Sequence, residues 1–69
     1  MGDFTITLEA ARRNRHMSQT EAAKALRVAK STLSRWERDE TKVPTPAAIA
    51  LAEIYQTPRE LLACLNHTL

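Results

Sequence analysis

The chain has 69 residues, of which 43% are apolar and 26% are charged, and its formal net charge is +2. These values are typical of one small globular domain, and they exclude a disordered or fibrous protein and a core large enough to enclose a roomy active site. The single cysteine excludes an internal disulfide, and we find neither a signal peptide nor an apolar run near the roughly 20 residues of a membrane span, so we expect a cytoplasmic protein.

Charge is distributed unevenly along the chain. Residues 12–42 contain nine Lys or Arg side chains against four Asp or Glu, an excess of five positive charges. The remaining segments contain one arginine against four acidic residues. This pattern indicates a polyanionic partner, although a solvated charged surface would produce the same pattern.

Apolar residues near the N-terminus predict a first helix. Phe4, Leu8 and Ala11 recur at helical spacing. Asp3 or Thr5 is available to cap the first turn through a side-chain oxygen.

The stretch SQTE at residues 18–21 predicts the start of a second helix. In this capping box, Ser18 and Glu21 each satisfy a backbone amide that the helix leaves free. We expect the helix to begin at Gln19 and to end near Arg27. Its predicted inner face consists of three apolar side chains, Ala22, Ala23 and Leu26.

The stretch KSTLSRWER at residues 30–38 predicts a short third helix with two unlike faces. Leu33 and Trp36 lie on one stripe and are expected in the core, with Val28 as a further anchor just before the helix. The opposite face carries hydroxyls and cations, namely Ser31, Ser34, Arg35 and Arg38, with Lys30 at its edge.

Prolines punctuate the rest of the chain. The stretch DETKVPTP predicts a loop, after which Thr45 is expected to cap a fourth helix whose first residue is Pro46. The apolar side of this helix is expected to comprise Ile49, Leu51 or Ala52, and Ile54.

The stretch TPRE at residues 57–60 repeats the pattern of a threonine followed by a proline. It predicts a fifth helix that Thr57 caps and Pro58 begins, with Leu61, Leu62 and Leu65 on its apolar face. No segment shows the alternation of a β-strand.

The second and third helices form a pattern with a known use. Two short helices joined by a tight turn, the second with an apolar back and a cationic front, are typical of the helix-turn-helix, whose second helix enters the major groove of DNA. The predicted base contacts are Lys30, Ser31, Ser34 and Arg35. The predicted contacts to the DNA backbone are Ser18, Gln19, Ala29, Thr32, Arg38, Lys42 and Thr45. An ordinary solvent-exposed surface is the alternative for these residues.

The blocks SQTEAAKAL and STLSRWERDETKVPTPAAIALAEI resemble the phage repressor and Cro proteins and their bacterial relatives, the XRE-type helix-turn-helix family. The resemblance extends over residues 4–62. It implies an all-α, compact five-helix domain like that of lambda repressor, here spanning residues 1–69. It also implies that an arginine of the first helix, Arg12, pairs with a glutamate at the end of the third, Glu37.

Two residues depart from the family pattern. Arg27 stands where the turn of the motif usually has glycine, and Ala29 stands where the third helix usually has a Ser or Thr cap. We therefore expect either backbone strain or a slightly different turn at Arg27. The first amides of the third helix need another partner, for which a DNA phosphate is suitable.

The five helices together predict a single hydrophobic core. It is expected to contain Leu8, Ala22, Leu26, Leu33, Trp36, Ile49, Ile54 and Leu61.

Catalysis and metal binding have little support in the sequence. His16, His67, Cys64 and the serines show no spacing of a catalytic triad or a metal site. We expect no enzyme activity, no cofactor, no metal and no small-molecule ligand.

The sequence therefore favours a sequence-specific, double-stranded DNA-binding transcriptional regulator. A Cro-like repressor is preferred because little chain extends beyond the predicted domain. It would act in a bacterial cell, encoded by a phage or mobile element, and bind a pseudo-palindromic operator as a homodimer that is weak in solution. The dimer face is expected in residues 58–69, at Leu62, Leu65 and Leu69.

Two alternatives stay open. The chain could be an antitoxin or another protein-binding module whose DNA binding is autoregulatory. It could also be a restriction-modification controller protein, which activates as well as represses.

Overall fold

A computed structural model describes residues 5–66, and this range is all-helical. Its five α-helices are Leu8–Asn14 (α1), Gln19–Leu26 (α2), Lys30–Arg38 (α3), Thr45–Ile54 (α4) and Ala63–Asn66 (α5). Two 3₁₀ helices, Glu40–Lys42 and Arg59–Leu61, lie between them. The predicted all-α fold with five α-helices is confirmed. No helix in this part of the chain has the length and apolar character needed to cross a bilayer.

Four residues that the sequence predictions used lie outside the described range. They are Asp3, Phe4, His67 and Leu69.

The start of α1 is capped from two directions. Thr7 is the N-cap, and its hydroxyl accepts a hydrogen bond from the Ala10 amide at 3.1 Å. The carboxylate of Glu40, far along the chain, accepts a second bond from the Leu8 amide at 2.7 Å. The prediction that Thr5 caps this helix was wrong, because the chain stays extended until Thr7.

The start of α2 follows the sequence prediction closely. The Ser18 hydroxyl accepts from the Glu21 amide at 3.0 Å, and the Glu21 carboxylate accepts from the Ser18 amide at 2.8 Å. The capping box is therefore confirmed. It fixes the first turn of the helix-turn-helix unit from local sequence alone.

The turn between α2 and α3 contains a residue in the left-handed region. Arg27 has φ 65° and ψ 43°, a conformation that glycine adopts without steric cost. For a residue with a Cβ atom, this conformation costs about 1 kcal/mol. The next helix, α3, begins after Ala29, which offers no side-chain cap.

The segment after α3 is more ordered than the loop that its prolines predicted. It contains the 3₁₀ helix Glu40–Lys42. The Asp39 carboxylate caps this element by accepting bonds from the Thr41 amide at 3.2 Å and the Thr41 hydroxyl at 2.6 Å. These bonds lower the pKa of Asp39 below its ordinary value.

The α4 helix begins one residue earlier than expected. Pro44 occupies the N-cap position and Thr45 is already helical, so the prediction of Thr45 as the cap was wrong. Pro46 still lies in the first turn, where its missing N–H has no intrahelical partner to lose.

The fifth helix begins later than predicted. The stretch at residues 57–60 leads into the 3₁₀ helix Arg59–Leu61, and the Thr57 hydroxyl donates to the Tyr55 carbonyl at 3.3 Å instead of capping a helix. The cause is long-range. The amide of Ile6 donates to the Leu61 carbonyl at 2.7 Å, and the Ala63 amide donates to the Ile6 carbonyl at 3.0 Å. This isolated parallel bridge delays α5 until Ala63.

One hydrophobic core lies between the helices. Its members are Leu8, Ala11, Ala22, Ala23, Leu33, Trp36, Ala48, Leu51, Ala52, Tyr55, Leu62 and Cys64. The core predictions for Leu8, Ala22, Leu33 and Trp36 are confirmed. The predicted core residues Leu26 and Ile54 are only partly buried and pack against its margin.

The core predictions for Ile49 and Leu61 were wrong. Both are half-buried and lie outside the core cluster. The buried face of α4 repeats instead at helical spacing through Ala48, Leu51, Ala52 and Tyr55. The core position predicted for Leu61 is occupied by its neighbour Leu62, which the backbone bridge to Ile6 holds in the core.

Replacement of Trp36 tests the attachment of α3 to the domain. The side chain is 9% exposed, and Trp36→Ala should cost about 3–5 kcal/mol of unfolding free energy through lost burial and a cavity. Ser31→Ala, on the exposed side of the same helix, should change the free energy of unfolding by less than about 1 kcal/mol. Urea denaturation of both variants measures this, and equal midpoints would refute the placement of Trp36.

A glycine substitution tests the strain at Arg27. Arg27→Gly should stabilise the domain by about 1 kcal/mol because glycine adopts the left-handed region freely. Ala25→Gly, at an exposed site inside α2, should destabilise it by a similar amount. Thermal denaturation gives both values, and a loss of stability in Arg27→Gly would contradict the strained geometry.

Candidate nucleic-acid interface

The outward face of α3 carries the predicted base contacts. Lys30, Ser31 and Arg35 are exposed, and Ser34 is half-buried. Neither Lys30 nor Arg35 forms an ion pair within the described residues. The face therefore presents free donors and short hydroxyls. Leu33 and Trp36, on the opposite side of the helix, are buried in the core.

The predicted backbone contacts lie at the starts of helices, within α3 and in the segment after it. Five of them are exposed, namely Ser18, Ala29, Arg38, Lys42 and Thr45. Gln19 and Thr32 are half-buried. Ala29, Arg38 and Lys42 lie just before α3, at its end and in the following 3₁₀ helix, whereas Ser18 caps α2 and Thr45 begins α4.

A buried ion pair joins the end of α3 to α1. The Nε atom of Arg12 lies 2.8 Å from Oε2 of Glu37, and Nη2 lies 3.2 Å from Oε1. The two side chains are 9% and 5% exposed. The family resemblance implies this pair, and the structure shows it as a bidentate contact between the guanidinium and the carboxylate. The hydrogen bond that Arg12 donates to Glu37 raises the pKa of Arg12 against the opposing effect of burial.

The ion pair extends into a network that reaches α2. The Nη1 atom of Arg12 donates to the Met17 carbonyl at 2.8 Å, which fixes the turn before α2. The Nε2 atom of Gln19 donates to Oε1 of Glu37 at 2.9 Å. Gln19, predicted as a contact to DNA, therefore also has a partner inside the protein. This bond could not be foreseen because the two residues are far apart in sequence.

Tyr55 lies in the core and was missed by the sequence analysis. It is 1% exposed, and its hydroxyl has no hydrogen-bond partner among the described residues. Burial raises the pKa of Tyr55 to about 12, and the nearby charge of Glu37 adds to the effect. The spacing from Leu51 and Ala52 is the signal that could have identified it.

Glu40 is a second residue that the sequence analysis missed. It connects the segment after α3 to the first amide of α1. Burial raises the pKa of Glu40, because desolvation of the carboxylate outweighs the bond from Leu8. Only a contact distant in sequence reveals this role.

Cys64 lies beside Glu40 at a small cavity. The cavity has a volume of about 200 Å³ and is lined by Glu40, Thr41, Ala63 and Cys64. Burial raises the pKa of the thiol to about 11, so it stays protonated and unreactive at neutral pH. No group of three possible metal ligands occurs within the described residues.

The structure changes the expected dimer face. Leu62 is completely buried within the domain, so its assignment to that face was wrong. Leu65 is half-buried and packs against the core. Leu61 is half-buried and lies outside the core, which leaves it available for a partner.

A comparison with family models places this geometry in context. Residues 8–62 match a model described as helix-turn-helix. The match contains α2 and α3, the buried ion pair and the whole of α4. No curated protein and no solved structure matches the chain significantly.

The single tyrosine provides a pH test of the core. Its pKa of about 12 in the fold exceeds the ordinary value of 10.0, so the unfolded chain loses this proton first as pH rises. The Tyr55 contribution to stability should be fully present below about pH 10 and should fall between about pH 10 and 12. Ultraviolet titration of the native protein measures the pKa, and Tyr55→Phe should lack this component of the stability loss. Titration at the ordinary value would contradict the burial of Tyr55.

Proposed function

Because the chain belongs to the helix-turn-helix family, we propose that it is a Cro-like repressor that binds operator DNA as a homodimer. The family, of the XRE and Cro type, comprises DNA-binding transcription regulators. The observation that carries the proposal is the outward face of α3, which presents unpaired cations and hydroxyls while its other face is fixed in the core.

Base recognition is assigned to four residues of this face. They are Lys30, Ser31, Ser34 and Arg35. Arg35 has a planar, forked guanidinium that matches the two acceptors of guanine in the major groove. Lys30 and Ser31 belong to the first turn of α3, where side chains of a recognition helix reach base edges. Each good contact contributes roughly 1–3 kcal/mol of discrimination between bases.

Positioning on the duplex is assigned to the surrounding residues. We propose that Ser18 and Gln19, at the start of α2, contact the phosphate backbone of the DNA. Lys42, which follows α3, is proposed to contact it as well. The uncapped amides that follow Ala29 are suited to donate to a phosphate, since no side chain in the described part of the chain caps them.

A homodimer follows from the small reach of one recognition helix. One α3 helix contacts only a few base pairs, so two copies related by a two-fold axis are needed to specify an operator. Their half-sites should lie about one helical turn apart, or roughly 34 Å. Leu61 and Leu65 are the proposed centre of the dimer face. A dimer bound at a promoter would block access to that DNA.

Two variants distinguish base recognition from backbone positioning. Arg35→Ala should abolish the preference at one position of each half-site, because it removes a base contact. Lys42→Ala should weaken binding to all sequences alike and reduce the slope of log affinity against log salt by about one. Binding to duplexes that differ by single base pairs, at several salt concentrations, measures both effects.

The same experiment can contradict the assignment. If Arg35→Ala loses affinity equally for every duplex while Lys42→Ala changes base preference, the two roles are exchanged. If both variants bind every duplex with the affinity and salt dependence of the wild-type protein, α3 is not the recognition helix.

A charge substitution tests the dimer face. Leu61→Glu should remove most of the gain in affinity that a full operator has over a single half-site, because a carboxylate would be buried between the two copies. Ala25→Glu adds the same charge at an exposed site of α2 and should retain that gain. Titration of half-site and full-site duplexes compares them, and an unchanged gain in Leu61→Glu would exclude this face.

A further inference from the structure

We propose that Arg27, in the turn between α2 and α3, contacts a phosphate at the edge of the major groove that α3 enters. Arg27 is then a positioning residue for DNA. This inference rests on the proposed DNA binding, and it gives a use to a cation at a backbone position where glycine has no steric cost.

Two backbone hydrogen bonds fix the turn in which Arg27 lies. The Arg27 amide donates to the Lys24 carbonyl at 3.1 Å, and the Val28 amide donates to the Ala23 carbonyl at 3.0 Å. Together with the left-handed backbone of Arg27, these bonds close the end of α2 as in a Schellman motif. Val28 also packs against the core. The Cα atom of Arg27 is therefore held in place, and only its side chain is free to move.

Arg27 carries a permanent positive charge that nothing in the described part of the chain neutralises. The residue is exposed, and its guanidinium forms neither an ion pair nor a hydrogen bond with the described residues. The charge lies at the carboxyl end of α2, where it interacts favourably with the helix dipole. That interaction is small for an exposed group and is screened by salt, so the guanidinium keeps its capacity to bind an anion.

Backbone strain alone does not distinguish Arg27. The residues His16, Arg27 and Gln56 all have positive φ, at 57°, 65° and 52°, and each follows the end of a helix. Gln56 is uncharged and lies beyond α4, whereas Arg27 lies three residues before Lys30, the first residue of the proposed recognition helix. Charge and position therefore distinguish Arg27, and Gln56 is a matched control for its backbone.

The distance from Arg27 to α3 favours a contact at the edge of the groove. Three residues span at most roughly 11 Å, whereas the major groove is about 12 Å wide. When the first turn of α3 contacts base edges, the Cα atom of Arg27 lies within one groove width of those bases. The phosphates that border the groove are then the anions nearest to its side chain, and a guanidinium binds phosphate oxygens with two parallel hydrogen bonds.

Arg27 and Lys42 lie at opposite ends of α3. Arg27 precedes the helix, and Lys42 follows it in the 3₁₀ helix Glu40–Lys42. Cations that flank the helix on both sides hold both of its ends against the duplex. The contact at Lys42 fixes the last turn, and the contact at Arg27 fixes the end that carries Lys30 and Ser31.

Substitutions at Arg27 and Gln56 separate the effect of charge from that of the backbone. Arg27→Gly removes both the charge and the strain, so it should raise stability and yet weaken binding to duplexes of mixed sequence about fivefold, as expected for one exposed ion pair. Arg27→Gln removes the charge and keeps the strain, and it should weaken binding equally. Arg27→Lys should stay within about twofold of the wild-type affinity, because lysine also binds phosphate. Gln56→Gly should raise stability and leave binding unchanged.

The salt dependence of binding identifies the partner as a phosphate. Loss of one phosphate contact in Arg27→Gly or Arg27→Gln should reduce the slope of log affinity against log salt by about one. The double variant of Arg27→Gln and Lys42→Ala should reduce it by about two, since the contacts at the two ends of α3 are independent. A residue that only stabilises the turn would leave this slope unchanged.

The outcomes separate this inference from the proposed function. If the wild-type protein binds no duplex, both fail. If it binds, but Arg27→Gly and Arg27→Gln keep its affinity and salt slope, the inference is wrong and the proposed function stands. A loss in Arg27→Gly alone would assign the effect to the backbone, and a loss confined to one base pair of the duplex would assign it to base recognition. Either result would also overturn the phosphate contact.

Discussion

The buried pair of Arg12 and Glu37 is the interaction on which the arrangement of the first three helices depends. Removing two charges from water is costly, and the cost is recovered only when every donor and acceptor finds a partner. Here Nε, Nη1 and Nη2 of Arg12 each donate a hydrogen bond, and both oxygens of Glu37 accept. Loss of one member would leave the other charge buried without compensation, at a cost of roughly 3–5 kcal/mol. The geometry of the motif is therefore tied to a contact that tolerates little displacement.

The core and this network act on opposite sides of the same helix-turn-helix. Leu33 and Trp36 attach the back of α3 to the core, and Glu37 attaches its last turn to α1. The outward face is left without ion pairs among the described residues. Exposed cations that make no internal bonds contribute little to stability, and on this firmly fixed helix they are the groups that the proposed function assigns to DNA.

The spacing of residues predicted features that depend on neighbours and missed those that depend on distant residues, whereas the distant pair of Arg12 and Glu37 came from the family resemblance. The capping box at Ser18 and the two faces of α3 follow from local spacing, and both agree with the structure. The second cap of α1 by Glu40 and the late start of α5 depend on contacts across most of the chain. The buried face of α4 was predicted only in part: Leu51 and Ala52 are buried as expected, but Ile49 and Ile54 were chosen instead of Ala48 and Tyr55 because alanine conceals the helical period. For the site, the spacing grouped the exposed residues of α3, but the bond from Gln19 to Glu37 required the folded structure.

Selection of bound duplexes from a random DNA library tests the central claim most directly, because it requires no assumption about the operator. If α3 is a recognition helix presented by a two-fold dimer, the wild-type protein should enrich one sequence with two related half-sites, separated by about one helical turn or roughly 34 Å. A bound pool that is no more enriched than the input library would contradict sequence-specific recognition by this domain.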